Sequence, residues 1–176
     1  MRILIANRGE IARRIIRTAH RLGHETVAVY AEPDVDAPFV GEATMAVAIG
    51  PASLADSYLS GERILAAAAA SGATAVHPGY GFLAENATFA QSCIDQDLIW
   101  IGPHPQAIAS MGSKIEARAI AERAGVPTIP GWSESQDSGE LAQAATQIGF
   151  PVLVKASAGG GGKGIRIAHD LTEVAN

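Results

Sequence analysis

Cysteine is nearly absent from this 176-residue sequence, in which Cys93 is the only one. A single thiol excludes a disulfide within the chain and a zinc site built from cysteines. Aromatic residues make up 5% of the sequence, and the formal net charge is -5. The chain therefore has no basis for binding nucleic acid or acidic lipid through bulk charge, and we expect neither among its partners. The cysteine count fits a reducing cytoplasm, which is the location that we expect.

Long apolar runs are missing as well. The first ten residues, MRILIANRGE, contain a short apolar run that ends at Asn7, which is neither a signal peptide nor a spanning helix. Across the chain, 48% of residues are apolar and 18% are charged. That balance is typical of a globular protein and argues against disorder.

The sequence does contain a regular alternation of short apolar runs and helical patterns. Most of the apolar runs are continuous, as expected of strands buried on both faces of a sheet. Between them, apolar residues at three- and four-residue spacing predict helices at about 10–22, 60–71 and 87–96. This order predicts an α/β fold with a Rossmann-like parallel sheet and helices on its faces. The predicted strands are Arg2–Ala6, Thr26–Tyr30, Met45–Ile49, Ala75–His77 and Ile99–Gly102.

The pattern changes after Gly102. Prolines punctuate the chain there, and helical patterns follow at about 105–111, 113–124 and 138–148. The segment GVPTIPG at 125–131 is the best candidate for a linker.

We accordingly divide the chain into a first domain at 1–110, a helix and linker at 111–130, and the start of a second domain at 131–176. That second domain would contain roughly 50 residues, which seldom form a core of their own. We therefore expect this chain to be the N-terminal piece of a longer protein, with the second domain truncated.

Four consecutive glycines, Gly159–Gly162, stand between two β-branched runs, with Lys155 before them and Lys163 after them. Glycine loses more backbone freedom on folding than any other residue, so such a run needs a reason. A Walker A loop is excluded because Gly164 follows Lys163 where Ser or Thr is required, and a strand follows instead of a helix. A kinase glycine loop is disfavoured because its lysine follows the hairpin. A dinucleotide fold would carry its glycines after the first strand, where this chain has a single one.

What remains is a strand–glycine flap–strand hairpin with Lys155 near its base. Backbone N–H groups in such a flap bind phosphate oxygens without side chains in the way, and both lysines add charge. A flexible hairpin loop without a ligand is the alternative. It leaves the two lysines unexplained, since an ordinary hairpin turn needs only one or two glycines.

A second anion site is suggested by MGSKIEARA at 111–119. Ser113 and Glu116 form the S-x-x-E capping box, so Ser113 starts a helix and Lys114 takes its first position. A cation there opposes the helix dipole by roughly 0.3–1 kcal/mol. That cost becomes a gain if an anion binds both the ammonium and the N–H groups. A solvated surface lysine is the alternative. Near the start of the chain, Asn7 and Glu10 lie at a predicted helix start, where capping explains both.

Six motifs of this sequence together resemble the biotin carboxylase family of ATP-grasp enzymes. The resemblance covers essentially all 176 residues and is closest to the biotin-carrying alpha subunits of acyl-CoA carboxylases, of the methylcrotonyl, propionyl or acetyl type. The motifs are ILIANRGEIA at 3–12, HPGYGFLAEN at 77–86, IWIGP at 99–103, MGSK at 111–114, AGVP at 124–127 and KASAGGGGKG at 155–164.

The resemblance implies an ATP-dependent ligase. In this family ATP phosphorylates bicarbonate to carboxyphosphate, which delivers CO2 to biotin held on a separate carrier domain. By the same resemblance Lys114 and Lys155 would contact ATP, and Gly161 and Gly162 would lie in the flap that closes over it. Lys163 stands where the family often has arginine, so it keeps the charge and loses the forked contact.

The loop after the fourth predicted strand is the other implied part of the site. His77, Tyr80 and Gly81 would line the active site, and a glycine-built turn with a hydrogen-bonded histidine is the alternative. The first helix would contribute to a homodimer contact, and its arginines would otherwise form a solvated face. A biotin carrier domain and a carboxyltransferase subunit would be further partners.

The family's ligands for Mg2+ or Mn2+, its catalytic base and its biotin-steering arginine would all follow Asn176. Asp170 and Glu173 do not match the metal-binding positions. We therefore assign no catalytic and no metal-binding residue within this chain, and we expect it not to carry out carboxylation alone. Two alternatives stay open, a non-catalytic α/β nucleotide-binding fragment and another ATP-grasp ligase, such as a carbamoyl-phosphate or purine-pathway enzyme.

Overall fold

Two units make up the chain, Met1–Ala109 and Ser110–Asn176. The computed structural model describes residues 1–132, 134–135, 137–155 and 164–175. Among these residues, no helix combines the length and the apolar character that crossing a membrane requires.

A parallel five-stranded sheet forms the centre of the first unit, which confirms the predicted fold class. Its strands are β1 (Arg2–Ile5), β2 (Glu25–Ala31), β3 (Met45–Gly50), β4 (Ala75–His77) and β5 (Ile99–Trp100). They lie in the order β3-β2-β1-β4-β5, and each neighbouring pair is parallel. Because the chain turns from one side of β1 to the other, the carboxyl ends of β1 and β4 flank the topological switch point. Open α/β sheets bind ligands at that point.

Helices cover both faces of this sheet. Leu4 packs in one core cluster with Ile64, whereas its neighbour Ile5 packs in another with Ile16 and Phe39. Successive strand residues point to opposite faces, so the two clusters are the two sides of one sheet. Fully burying a side chain of this size stabilises the fold by about 1.5–3 kcal/mol. The helices of this unit are α1 (Gly9–Arg21) and α2 (Pro38–Glu42) on one side, and α3 (Gly61–Ser71) and α4 (Ala87–Asp95) on the other.

Two elements of this unit differ from the sequence prediction. The helix α2 is not predicted, because five residues are too few to show a helical period. The strand β5 ends at Trp100 and does not reach Gly102. The indole Nε1 of Trp100 donates a hydrogen bond to the carbonyl oxygen of Pro103 at 3.0 Å, and Pro103 has no N–H for a strand ladder.

The second unit contains an antiparallel hairpin and three helices among its described residues. After α5 (Pro105–Gly112) come α6 (Lys114–Arg123), α7 (Ser138–Ile148), β6 (Val152–Lys155), β7 (Ile165–Ala168) and α8 (Leu171–Ala175). Strands β6 and β7 pair with Val152 opposite Ala168 and Lys155 opposite Ile165. The pairing confirms that the strands on either side of the glycine run form a hairpin.

Side-chain caps begin the helices of this unit. Ser113 Oγ accepts a hydrogen bond from the backbone N–H of Glu116 at 3.3 Å, which confirms that Ser113 starts α6. Asp137 Oδ1 accepts from the N–H groups of Gly139 and Glu140 at 2.9 and 3.0 Å and starts α7. Caps of this kind are worth about 0.5–2 kcal/mol each.

The predicted linker at 125–131 has a defined path along α6. The Arg118 guanidinium donates a hydrogen bond to the carbonyl oxygen of Ile129 at 3.0 Å and pairs with Glu122 at 2.8 Å. Thr128 donates to the same Glu122 carboxylate at 3.2 Å. Side chains of α6 therefore hold this segment, although its Gly and Pro content predicts an unattached connection.

Candidate functional site

Asn7 joins two loops at the carboxyl edge of the sheet. Its side chain is 1% exposed, and its Nδ2 donates hydrogen bonds to the carbonyl oxygens of Pro78 at 2.8 Å and Tyr80 at 2.9 Å. The N-cap of α1 is Arg8, and no side chain caps the helix there. The capping interpretation of Asn7 is therefore wrong. Its amide instead satisfies two carbonyl groups of the loop after β4, which sequence distance alone does not reveal.

A glycine at position 79 permits this close approach. Gly79 has φ +68, and a Cβ there would lie 2.6 Å from Ile11 Cγ2 and 2.8 Å from Asn7 Nδ2. Real side chains do not tolerate such distances, and the left-handed backbone conformation also favours glycine. The loop after β4 is thus built to lie against the start of α1.

His77 forms part of the same turn. Its Nδ1 accepts a hydrogen bond from the backbone N–H of Gly79 at 3.0 Å. Burial lowers the pKa of the His77 imidazole. A neutral ring that accepts at Nδ1 carries its proton on Nε2, so His77 offers a hydrogen-bond donor on its other nitrogen. The histidine-turn alternative is confirmed by this bond, and the lining role of His77 stays a prediction.

Tyr80 is the exposed member of this loop. Its side chain is 67% exposed, and its hydroxyl donates to Glu10 Oε2 at 3.5 Å. Gly81 follows it with φ +67. The loop therefore presents an aromatic ring to solvent, while the Asn7 side chain holds its backbone through two hydrogen bonds.

A polar cluster around the buried Tyr58 ring, which the sequence does not predict, lies at the same edge. The Tyr58 hydroxyl donates to Asp34 Oδ2 at 2.6 Å and accepts from the backbone N–H of Ala31 at 3.1 Å. Burial, and next the hydrogen bond to Asp34, raise the pKa of Tyr58. Arg8 pairs with Asp34 Oδ1 at 2.8 Å and lies 5.5 Å from the centre of the Tyr58 ring. The sequence signal for this cluster is that Arg8 and Asp34 each stand three positions after the end of a strand.

Lys155 lies at the end of β6, four positions before the first residue of the glycine run. Alternate residues of a strand share a face, so Leu153 and Lys155 face the same way as their partners Ile167 and Ile165. The side chains of Leu153, Ile165 and Ile167 are 57%, 44% and 58% exposed. This face of the hairpin is therefore an open apolar surface. An ammonium group stands at the end of β6 from which the chain continues into the glycine run.

Lys114 is the first residue of α6 and is exposed. Its position at a helix start agrees with the sequence prediction, and its role in binding an anion stays a prediction. The other predicted nucleotide contacts, Gly161, Gly162 and Lys163, lie outside the described residues.

Acidic residues near the end of the chain act as caps. Asp170 Oδ1 accepts from the backbone N–H of Glu173 at 3.0 Å, and Glu173 Oε2 accepts from the N–H of His169 at 2.7 Å. Over the described part of the chain, no group of three or more His, Cys, Asp or Glu could hold a metal ion. Asp170 and Glu173 therefore cap the start of α8. The single thiol, Cys93, is fully buried, and burial raises its pKa to about 12, so it is a core residue.

The fold and these sites define an open parallel α/β domain followed by a unit with a lysine-bearing glycine-rich hairpin. The chain belongs to the biotin carboxylase family, because residues 1–108 match the family model of the biotin carboxylase N-terminal domain. Residues 113–176 match that of the carbamoyl-phosphate synthase L chain ATP-binding domain. The resemblance found in the sequence motifs is confirmed.

Curated relatives agree with this family. The chain is 56% identical to biotin carboxylase 2 of Bacillus subtilis over 94% of its own length and 37% of that protein. It is 52% identical to the alpha3 subunit of a biotin-dependent acyl-coenzyme A carboxylase of Mycobacterium leprae, over 98% of this chain and 29% of that subunit. The chain thus spans between about a quarter and two fifths of the curated relatives it matches.

A solved structure has the same fold. The biotin carboxylase domain dimer of Hydrogenobacter thermophilus 2-oxoglutarate carboxylase, in complex with MgADP, ADP and bicarbonate, is similar with a TM-score of 0.90 and 49% identity. The similarity covers 98% of this chain and 38% of that chain.

Proposed function

We propose that this chain supplies the N-terminal domain and the glycine-rich hairpin of an ATP- and bicarbonate-dependent biotin carboxylase, the carboxylating component of a biotin-dependent acyl-CoA carboxylase. The observation that carries the proposal is the hairpin face on which Lys155 ends an open apolar surface, with the glycine run following in the sequence. An apolar face suits a nucleotide base, and an ammonium group beside backbone N–H groups suits its phosphates.

The individual residues take separate roles in this proposal. Lys155 and Lys114 hold phosphate oxygens of ATP, with Gly161, Gly162 and Lys163 in the closing flap. ATP supplies the phosphoryl group that activates bicarbonate, and the transfer is mostly positioning and charge neutralisation, for which lysines and backbone donors are suited. His77, Tyr80 and Gly81 line the site at the carboxyl edge of the first unit. The three-part division at 110 and 130 stays part of the proposal.

The first unit favours a biotin carboxylase over another ATP-grasp ligase. The family model that residues 113–176 match is named for a carbamoyl-phosphate synthase, so this segment alone does not separate the two. Residues 1–108 instead match the biotin carboxylase N-terminal domain and include NRGEIA and HPGYGFLAEN. This part of the chain supports biotin as the carboxyl acceptor.

Partners follow from the same proposal. The similar Hydrogenobacter structure is described as a dimer, which supports a homodimer for the protein that contains this chain. A biotin carrier domain and a carboxyltransferase subunit would complete the reaction. Mg2+ or Mn2+ would accompany ATP, and the described residues place no ligands for it. The cytoplasmic location stays a prediction from the single cysteine.

The decisive experiment replaces Lys155 in the full-length protein that contains this sequence. Lys155→Ala should weaken ATP binding by about 1.5–3 kcal/mol, the worth of a charge-assisted hydrogen bond, as measured by calorimetric titration. Biotin-dependent release of ADP should fall in parallel.

Arg166→Ala is the matched control, because Arg166 is a cation of the same hairpin that pairs across from Val154 on its other face. Its guanidinium donates to the carbonyl oxygens of Glu173 and Val174 and so has a structural partner within α8. ATP affinity should stay unchanged in this variant. An unchanged affinity in Lys155→Ala as well would refute the nucleotide assignment.

A further inference from the structure

We infer that Tyr58 is a positioning residue for the proposed reaction: its ring holds the Gly81–Phe82 turn and thereby fixes the direction of the exposed Tyr80 ring. The inference rests on the proposed function, because it assigns Tyr80 to the lining of that active site. Tyr58 itself is 1% exposed, so its role would be exerted through the residues that it contacts.

The contact between Tyr58 and Phe82 is a parallel ring stack. The ring centroids are 5.6 Å apart and the planes differ by 10°. Phe82 has φ 45, a left-handed conformation that a residue with a side chain rarely adopts. Such a conformation persists only where surrounding contacts determine it, and the stack with Tyr58 is the contact that anchors this side chain.

The Tyr58 ring is in turn fixed by its hydroxyl group. The hydroxyl bonds to Ala31, the last residue of β2, and to Asp34, which follows that strand. Arg8 links Asp34 to the start of α1. Three loops at the carboxyl edge of the sheet are therefore tied to one aromatic ring. The polar partners fix the ring, and the ring fixes the turn after Tyr80.

Asn7 holds the same loop from its other end. It binds the carbonyl oxygens of Pro78 and Tyr80, which lie before the turn, whereas Tyr58 contacts Phe82 after it. Tyr80 thus stands between two anchored points, although its own side chain is 67% exposed. A preorganised exposed ring is what a binding platform requires, because little conformational freedom is lost when a ligand arrives.

The test uses the full-length protein with ATP, bicarbonate and free biotin, and compares Tyr58→Leu with Tyr58→Phe. Tyr58→Leu removes the stack and should lower kcat/KM for biotin by about 10- to 100-fold, the scale expected when a substrate-positioning residue is displaced by about 1 Å. Tyr58→Phe keeps the stack but loses the hydroxyl bonds that fix the ring, so its kcat/KM should lie between those of the wild type and Tyr58→Leu. The Kd for ATP should change in neither variant, because the proposed nucleotide contacts lie in the other unit.

Phe39→Leu is the control for lost packing. Phe39 is also 1% exposed but belongs to the core cluster that contains Ile5 and Ile16. Its replacement should lower thermal stability and leave kcat/KM unchanged. If Phe39→Leu and Tyr58→Leu reduce kcat/KM equally, or if Tyr58→Phe has no higher kcat/KM than Tyr58→Leu, Tyr58 acts only through stability and the inference is overturned.

Hydrogen exchange separates this inference from the proposed function. The Ala84 N–H donates to the carbonyl oxygen of Gly81 at 2.9 Å and reports on the turn. Its exchange should accelerate at least about tenfold in Tyr58→Leu and not in Phe39→Leu. Unchanged exchange overturns the anchoring role of Tyr58 whatever the activity. A wild-type protein without biotin-dependent ADP release overturns the proposed function, and the positioning role with it, while the exchange result still decides whether Tyr58 holds the turn.

Discussion

The side-chain amide of Asn7 lies 2.9 Å from the carbonyl oxygen of Tyr80, although 73 positions separate the two residues. This bond and the one to Pro78 fasten the loop after β4 to the end of β1. The two strands are neighbours at the switch point of the sheet, so the bond sets the geometry of the edge where ligands bind. Asn7 is buried and uses both amide hydrogens here, which makes its donor group the critical one.

Replacing Asn7 by aspartate should therefore destabilise the chain. The change puts a carboxylate oxygen where two carbonyl oxygens require a donor. It also buries a charge whose partner among the described residues is a neutral donor, the backbone N–H of Arg8, which Asn7 Oδ1 accepts at 2.9 Å. We expect the free energy of unfolding to fall by at least about 2–3 kcal/mol at neutral pH. Urea denaturation followed by tryptophan fluorescence measures the loss.

Asn86→Asp is the matched control for this change. Asn86 caps α4, and its Oδ1 accepts a hydrogen bond from the backbone N–H of Phe89 at 2.9 Å. A carboxylate accepts equally well at a helix start, so the free energy of unfolding should stay within about 0.5 kcal/mol. Equal losses for Asn7→Asp and Asn86→Asp would show that the Asn7 amide does not act as a donor.

Two glycines of the same loop separate a steric effect from a conformational one. Gly79 and Gly81 have nearly equal φ values of +68 and +67, and only at Gly79 would a Cβ meet other atoms within 4 Å. Gly81 also has ψ -166, a combination that residues with a side chain hardly adopt, so Gly81→Ala should lower the free energy of unfolding by about 1–3 kcal/mol through backbone strain alone. Gly79→Ala should lose about 1–3 kcal/mol more, because its Cβ overlaps Ile11 and Asn7.

Chemical denaturation of both variants under one set of conditions gives the difference directly. The two replacements add the same methyl group at nearly equal φ, so each is the control for the other. Losses of equal size in the two variants would rule out a tight contact between Gly79 and the start of α1.

The pH dependence of stability should contain a contribution from His77. Burial lowers the pKa of His77 from its ordinary value of 6.5, so near and below that pH the unfolded chain binds more protons than the folded one. The contribution of His77 to stability is therefore complete above pH 6.5 and is lost as pH falls through the folded pKa. Each unit of lowering corresponds to about 1.4 kcal/mol.

NMR of the His77 ring protons gives the titration midpoint, and denaturation at neutral and mildly acidic pH gives the loss of stability. In His77→Gln the decrease on acidification should be smaller, because the titrating group is gone. A ring that titrates at or above 6.5 would contradict the assignment of a neutral, Nδ1-accepting imidazole.

Much of the fold follows from local patterns. Continuous apolar runs in β1 and β2 reflect burial on both faces, and the Ser113 cap depends on residues that are close in sequence. Such features are readable because strand burial and helix capping involve neighbours along the chain. The strand β5 was predicted too long because its end depends on how the Trp100 indole reaches Pro103.

The candidate site likewise contains some features that the sequence predicts and others that it does not. The sequence alone determined the alternating α/β order, the family motifs, and the hairpin whose strands carry Lys155 and flank the glycine run. Tertiary structure alone decided that Asn7 binds the Tyr80 loop and that Tyr58, Asp34 and Arg8 meet at the sheet edge. The reason is that these contacts join residues from 24 to 73 positions apart, and only the parallel order of the strands brings their carboxyl ends together.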